Sequence, residues 1–278
     1  MKLILIGHGN VGAEVEKVLL EQGLKVDYVI HGSGVFKQGS LVDTNEHFAT
    51  YIDSESVLFI SVPSIGDGSV MLPYYQKSLE AGAKIVTCEK AVIANHWDLV
   101  RQNEGSIRYS ATVGGDSGIL PAIASYQGKI ETVKAVVNGT LNFIAEKKRN
   151  GVTKEAVFDM VTKGGFAEPG ARSLTEVIAG EINDVLYKAA IVANHSKLYE
   201  KTFAARDIHF VDGEINDGCS VVLGGNGVRA GFIHHEDVSW LPEGVTNCVY
   251  INGVKMAGGP GAGGRITAKR MYKDFLTL

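Results

Sequence analysis

The chain has 278 residues, 45% of them hydrophobic and 21% charged, a composition that suits a globular protein of one large or two moderate domains. A formal net charge of -4 and a pI near 6.1 provide no basic footprint for a phosphate backbone, which argues against nucleic acid as a partner. The apolar run Leu3 to Ile6 is too short to span a bilayer or serve a secretory segment. Cys88, Cys219 and Cys248 are odd in number and lack CxxC spacing, so neither a disulfide framework nor a zinc site is expected, and a cytoplasmic setting fits.

In chain order, Leu3–Ile6, Val26–Ile30, Val57–Val62, Lys84–Thr87 and Ile107–Ser110 read as short strands separated by helix-length stretches, the pattern of an alternating α/β unit. Val11, Val15, Val18 and Leu19 recur on one face of a first helix that Gly23 stops. Past Gly114 and Gly115 the pattern changes. A strand at Val133–Val137 precedes helices around Thr153–Thr162 and Glu181–His195, then strands at Ser220–Leu223 and Val228–Ile233. Asn247–Met256 reads as a hairpin with Asn252-Gly253 at its tip, the pair that a type I′ turn prefers, and a last helix begins near Thr267. The predicted division is 1–125 plus 257–278 as a parallel-sheet α/β domain and 126–256 as an α+β domain, with no appended regulatory module.

Gly7-His8-Gly9-Asn10-Val11-Gly12 is a GxGxxG placed between a strand and an amphipathic helix. In that context the first glycine permits a tight turn, the second lets a pyrophosphate approach the backbone, and the third lets the helix pack closely. A Rossmann-type dinucleotide-binding domain is therefore expected, with Gly7, Gly9, Asn10, Val11 and Gly12 at the cofactor. The acid that holds an adenosine ribose should follow about 20 residues later, at the end of the second strand. Ile30-His31-Gly32-Ser33 stands there instead, and Asp27 lies too early. His31, Ser33 and Lys37 would tolerate a 2′-phosphate, which favours NADP and leaves NAD possible.

Glu181, Asp184 and Lys188 fall at i, i+3 and i+7, so they project from one face of the predicted helix. Periodicity alone favours a solvated face with an Asp-Lys pair, which is common helix decoration.

Several segments, in order, resemble the homoserine dehydrogenase family. They are the GHGNVG loop, Val86-Thr87-Cys88-Glu89-Lys90-Ala91, the glycine-rich Ala111 to Gly115, Asn138-Gly139-Thr140-Leu141-Asn142-Phe143-Ile144, Gly165-Phe166-Ala167-Glu168, Glu181 to Lys188, and Gly261-Ala262-Gly263 with Thr267-Ala268. The resemblance covers most of the chain. It implies a Rossmann-type domain joined to an α+β substrate-binding and dimerisation domain, hydride transfer between NAD(P) and L-homoserine or L-aspartate 4-semialdehyde, and a homodimer. Carried over residue by residue, it makes Lys188 and Lys90 the catalytic pair and Glu168, Asp184, Glu181, Gly139 and Thr140 the substrate contacts. It also adds Lys90, Gly261, Ala262 and Gly263 to the cofactor contacts. The chemistry is coherent, because hydride can leave an alcohol carbon only as the hydroxyl proton passes to a base within hydrogen-bond reach.

The chain departs from the family between Glu168 and Asp184. That segment is longer, and the position five before Asp184, where the family has an acid for the substrate ammonium, holds Ala179, with Glu176 or Glu181 available as a stand-in. Glu89 replaces an asparagine beside Lys90, and Ser110 replaces a carboxylate that some members offer to a monovalent cation, so no metal is predicted. His234 and His235 read as surface residues with diverging side chains, and Cys88 as a small core residue. Another small amino or hydroxy acid as substrate, and a nucleotide sensor without turnover, remain open.

Overall fold

The structure is a computed structural model that describes residues 1–166, 170–261 and 263–278. It divides into two compact units, Met1–Asp116 with Gly263–Leu278, and Ser117–Ala262.

The first unit runs from β-strand to α-helix in turn as far as Arg108, except for a ribbon of two added strands after the second. Its elements are β1 (Lys2–Ile6), α1 (Asn10–Glu21), β2 (Tyr28–His31), β3 (Gly34–Lys37), β4 (Ser40–Asp43), β5 (Ser56–Ile60), α2 (Leu72–Glu80), β6 (Lys84–Thr87), α3 (Ala91–Asn95), α4 (Trp97–Gln102) and β7 (Ile107–Arg108). The sheet order is β4-β3-β2-β1-β5-β6-β7. The strands from β2 to β7 in that order pair in parallel, whereas β3 and β4 add an antiparallel ribbon at one edge. Sequence reading found the five parallel strands and missed the ribbon. Its strands are four residues each, and its tip is Gln38-Gly39, both at positive φ (51° and 80°), instead of a favoured Asn-Gly pair.

β1 and β5 are almost wholly apolar and buried, as central parallel strands must be. Leu3, Leu5, Val57 and Phe59 meet Val15, Val18 and Leu19 of α1 and, from the far end of the sequence, Ala268 and Met271 of the C-terminal helix Gly264–Phe275. That helix also reaches α1 through Arg265, whose guanidinium lies 2.6 Å from Glu21 and 3.5 Å from Glu14. Exposed ion pairs of this kind contribute little, because water screens them, whereas one fully buried Met or Leu side chain contributes roughly 1.5–3 kcal/mol. Apolar packing therefore recruits the chain's end to this unit.

The second unit comprises α5 (Ile119–Ser125), β8 (Val133–Val136), α6 (Gly139–Arg149), α7 (Lys154–Lys163), α8 (Leu174–His195), β9 (Phe210–Val211), β10 (Cys219–Gly224), β11 (Gly227–Phe232), β12 (Thr246–Ile251) and β13 (Val254–Pro260). The sheet runs β13-β12-β8-β10-β11-β9, antiparallel except for the β11–β9 pair. Asn252 and Gly253 both take positive φ (49° and 82°) at the tip of the β12–β13 hairpin. The Asn252 side chain accepts the Glu131 and Thr132 N–H groups at 2.9 and 3.0 Å, tying the hairpin to β8. α6 and α8 lie on the sheet, touching β10, β11 and β12. Sequence reading placed α5 in the first domain and ended the second at 256. In the structure α5 packs on β12, β13 and α8, and β13 continues to Pro260. α8 also starts seven residues earlier than the predicted Glu181, where the Ser173 hydroxyl accepts the Glu176 N–H at 3.2 Å.

Among the described residues, no helix is long and apolar enough to cross a membrane.

Met271→Ala should destabilise the first unit by about 2–5 kcal/mol, and Arg265→Ala far less. Urea unfolding curves of the two variants check the order.

Candidate active site

The residues singled out by sequence fall into two groups, one in each unit. In the first unit the turn from β1 into α1 is built on backbone contacts. Gly7 donates its N–H to the Ile30 carbonyl at 2.8 Å and sits at φ 87°, and a Cβ there would lie 2.6 Å from Val62 Cγ1 and 2.8 Å from the Ser61 carbonyl oxygen. A Cβ at Gly12 would overlap the Gly7 carbonyl oxygen, whereas at Gly9 it would meet nothing within 4 Å. Two glycines thus close the turn, and the third leaves open space over it. Asn10 and Val11 begin α1, which has Gly9 at its N-cap, no side-chain cap and no acid in its first turn, so its leading N–H groups suit an anion. Sequence reading missed Ser61, whose hydroxyl donates to the Gly7 carbonyl at 2.9 Å. The start of the C-terminal helix joins the same turn, since a Cβ at Gly264 would lie 3.0 Å from the Asn10 carbonyl oxygen.

At the end of β2, the His31 ring stacks on Phe36 with centroids 4.4 Å apart, and its Nδ1 lies 2.8 Å from the Ser33 hydroxyl. Lys37 does not join them. In the β2–β3 register His31 faces Gly34, and the Lys37 amine lies over the Tyr28 ring at the opposite end of the ribbon. Asp27 is engaged elsewhere, accepting the Leu3 N–H at 2.8 Å.

Lys90 precedes α3, with its backbone N–H on the Ser64 hydroxyl at 2.7 Å. The fully buried Glu89 carboxylate accepts the Ala91 and Val92 N–H groups at 2.6 and 3.0 Å. Burial pushes its carboxyl above the usual range, while those N–H groups, Ser64 and Lys90 pull it back. Burial also pushes the Cys88 thiol up to about 11, a poor nucleophile at neutral pH.

In the second unit the helix face comes together around the end of β8. The buried Lys188 amine lies 2.6 Å from Asp184 and donates to the Val137 carbonyl oxygen at 2.8 Å. Asn138, the next residue along the chain, donates from Nδ2 to Glu181 at 2.6 Å and to Asp184 at 2.9 Å, while its Oδ1 accepts the Leu141 N–H at 2.9 Å and caps α6. One amide therefore starts a helix and clamps two carboxylates of another. Its motif was read from sequence, but this role was not, because it depends on α8 lying across the β8–α6 junction. The second asparagine that sequence missed, Asn247 on β12, also reaches Val137, donating to its carbonyl at 3.3 Å.

Gly139 and Thr140, the substrate contacts implied by the resemblance, are the first two residues of α6. Gly139 is required by close packing, since a Cβ there would lie 2.5 Å from the Val245 carbonyl oxygen. Gly261 abuts Asn247, whose amide a Cβ would overlap. Glu176 does not stand in for the missing acid; it holds Arg172 at 2.9 Å on the exposed side of α8, and only Glu181 joins Asp184. Glu168 and Ala262 lie outside the described residues. Lys90 and Gly263 belong to the first unit, and Lys188 and Gly261 to the second. His234 and His235 diverge, to Asp217 and to the Ser220 hydroxyl, each at 2.9 Å. His235 is not the surface residue expected. Its ring meets Trp240 edge-on, and burial, with Lys134 and Arg229 near, lowers it to about 4. Among the described residues, no group of three His, Cys, Asp or Glu side chains is arranged to hold a metal ion.

No protein-family model matches the sequence. The homoserine dehydrogenase of Sulfurisphaera tokodaii is 26% identical over 188 residues, 60% of this chain and 61% of that protein. That of Pyrococcus horikoshii is 27% identical over 219 residues, 73% of this chain and 66% of that protein. The chain is a homologue of the homoserine dehydrogenases. Its matches span less than two thirds of the length of these two curated relatives. In fold it is similar to a hyperthermophilic archaeal homoserine dehydrogenase in complex with NADPH, at a TM-score of 0.75, 21% identity and coverage of 99% of this chain and 96% of that one. The mixed α/β fold with its Rossmann-type sheet is that of the homoserine dehydrogenase structures.

In this homologue the Asn138 clamp is open to a direct check. Asp and Asn cap helices about equally, and replacing either by Ala costs about 0.5–2 kcal/mol. Asn138→Asp would also set a third carboxylate against Glu181 and Asp184. It should therefore destabilise more than Asn138→Ala at pH 7, and the gap should close as the carboxylates protonate below about pH 4. Thermal melts at both pH values measure it.

Proposed function

We propose that the chain is an NAD(P)-dependent oxidoreductase acting on a CH–OH group, and within that class a homoserine dehydrogenase interconverting L-homoserine and L-aspartate 4-semialdehyde. The observation that carries this reading is the Lys188 group. An ammonium has three N–H donors; Asp184 and the Val137 carbonyl take two, which leaves one for a substrate oxygen. Glu181 and Asp184, held by Asn138, supply negative charge suited to a substrate ammonium. Homology to the homoserine dehydrogenases supports the reaction class, and a nucleotide sensor would not require this buried network.

The glycine turn fits a dinucleotide, with Gly7 and Gly12 closing it, Gly9 leaving room for a pyrophosphate and the α1 amides facing an anion. Asn10, Val11, His31, Lys90 and the Gly261–Gly263 segment complete the proposed cofactor contacts. When bound, the nicotinamide supplies hydride transfer. The chain's own residues handle the proton: in reduction Lys188 donates an N–H proton to the carbonyl oxygen as that oxygen becomes an alkoxide, and in oxidation the neutral amine takes the hydroxyl proton back. Lys90 is assigned to the same proton by resemblance, and Glu168, Gly139 and Thr140 to substrate binding. NADP is favoured over NAD, since β2 ends in His31 and Ser33 without a ribose-binding acid, and a fold relative is described in complex with NADPH. A homodimer in the cytoplasm completes the proposal.

A second reading changes the substrate to another small amino or hydroxy acid. It is favoured by Ala179 at the position of the family's ammonium-binding acid and by the engagement of Glu176 with Arg172.

Purified protein with NADP or NAD and a panel of hydroxy amino acids, followed by absorbance of the reduced nicotinamide, tests both. Turnover of homoserine supports the first reading, turnover of another acid alone supports the second, and cofactor binding without turnover overturns both. Lys188→Ala should lower kcat by about 10²–10⁴-fold, the usual contribution of a general acid–base, with cofactor affinity unchanged. Gly12→Ala should instead weaken cofactor binding by about tenfold or more, since a Cβ has no room beside Gly7. Fluorescence titration with NADPH separates the two effects.

A further inference from the structure

Asn247 is fully buried on β12, and only half of its amide is satisfied. Nδ2 donates to the Val137 carbonyl at 3.3 Å, whereas Oδ1 has no hydrogen-bond partner among the described residues. The reversed amide would set Oδ1 against the Val137 oxygen, acceptor against acceptor, so this orientation is the one that chemistry allows. Gly261 closes over the amide and could carry no side chain there. An unpaired buried acceptor costs stability that a leucine of the same shape would not lose, so the favourable polar contact of this side chain is the one made by its N–H. That N–H shares its acceptor with Lys188, whose amine meets the same Val137 oxygen at 2.8 Å. A carbonyl oxygen has two lone pairs, so the two donors together define where it points.

We propose that Asn247 is a positioning residue for the Lys188 amine. By holding the Val137 carbonyl from the β12 side, it sets one of the two anchors that aim the remaining Lys188 N–H at substrate oxygen. Small displacements of a proton-transfer group lower its rate without removing binding contacts. This rests on the reading of Lys188 as the proton-transfer group, so the test carries its own control.

Asn247→Leu keeps the branch shape and orphans nothing, since the Val137 carbonyl retains Lys188. Its kcat for homoserine should fall by about tenfold or more, with KM within about twofold, and its Tm should be unchanged or higher. In a Lys188→Ala background the same change should slow turnover no further, since both act through one amine. A kcat within about twofold of wild type, losses that multiply in the double variant, or a Tm lowered by more than about 5 °C overturns the proposal. If wild type turns over no hydroxy amino acid with either nicotinamide, the proposed function fails. The positioning role of Asn247 then falls with it, whereas a wild type that turns over and an Asn247→Leu variant as fast as it overturn the role of Asn247 alone.

Discussion

A buried ammonium must be paired, and that requirement organises the second unit. Lys188 reaches its position on α8 only because Asp184, one turn earlier, and the Val137 carbonyl at the end of β8 receive it. Asp184 in turn is tied to Asn138, which caps α6, so a strand end, a helix start and the middle of a second helix are held by one hydrogen-bonded set. Removing any member would leave a buried charge or polar group exposed to the low dielectric around it. Among the described residues the amine has two anchors, Asp184 and the Val137 carbonyl, so one of its three N–H groups is left over, which is how a structural requirement becomes a chemical capacity.

The first unit meets a different constraint, the close approach of backbones. Gly7 and Gly12 are glycine because a Cβ would strike the Ser61–Val62 segment in one case and the Gly7 carbonyl in the other. Gly9 meets no such limit, so its lack of a side chain keeps space open in front of α1. Packing inside the turn and openness outside it come from one short motif. The C-terminal helix adds to it, as Ala268 and Met271 join the core below while Gly264 lies against Asn10 above.

Motifs that act through local backbone geometry were legible in the sequence. The GxGxxG turn, the Asn252-Gly253 hairpin and the alternation of parallel strands all depend on residues close together in the chain, and they formed where expected. Elements whose cues are tertiary were not legible. The β3–β4 ribbon has short strands and an uncommon tip. The first turns of α8 were taken for a lengthened connection, and the helix that begins at Gly139, capped by the residue before it, was not foreseen. Lys37 was grouped with His31 by proximity in sequence, and antiparallel register put it at the other end of the ribbon.

By itself the sequence determined the fold class, the glycine turn and the presence of Glu181, Asp184 and Lys188 on one helix face, because helical and strand periodicities and glycine's freedom of φ are local properties. Whether that face was solvated decoration or part of a buried hydrogen-bonded set was beyond it, since an Asp-Lys pair four residues apart looks the same in both. Only the tertiary structure decided, by bringing the Val137 carbonyl, Asn138 and Asn247 from β8 and β12 against α8. Hydrogen bonds across 46, 51 and 110 residues of chain are made by packing, and no local pattern encodes them.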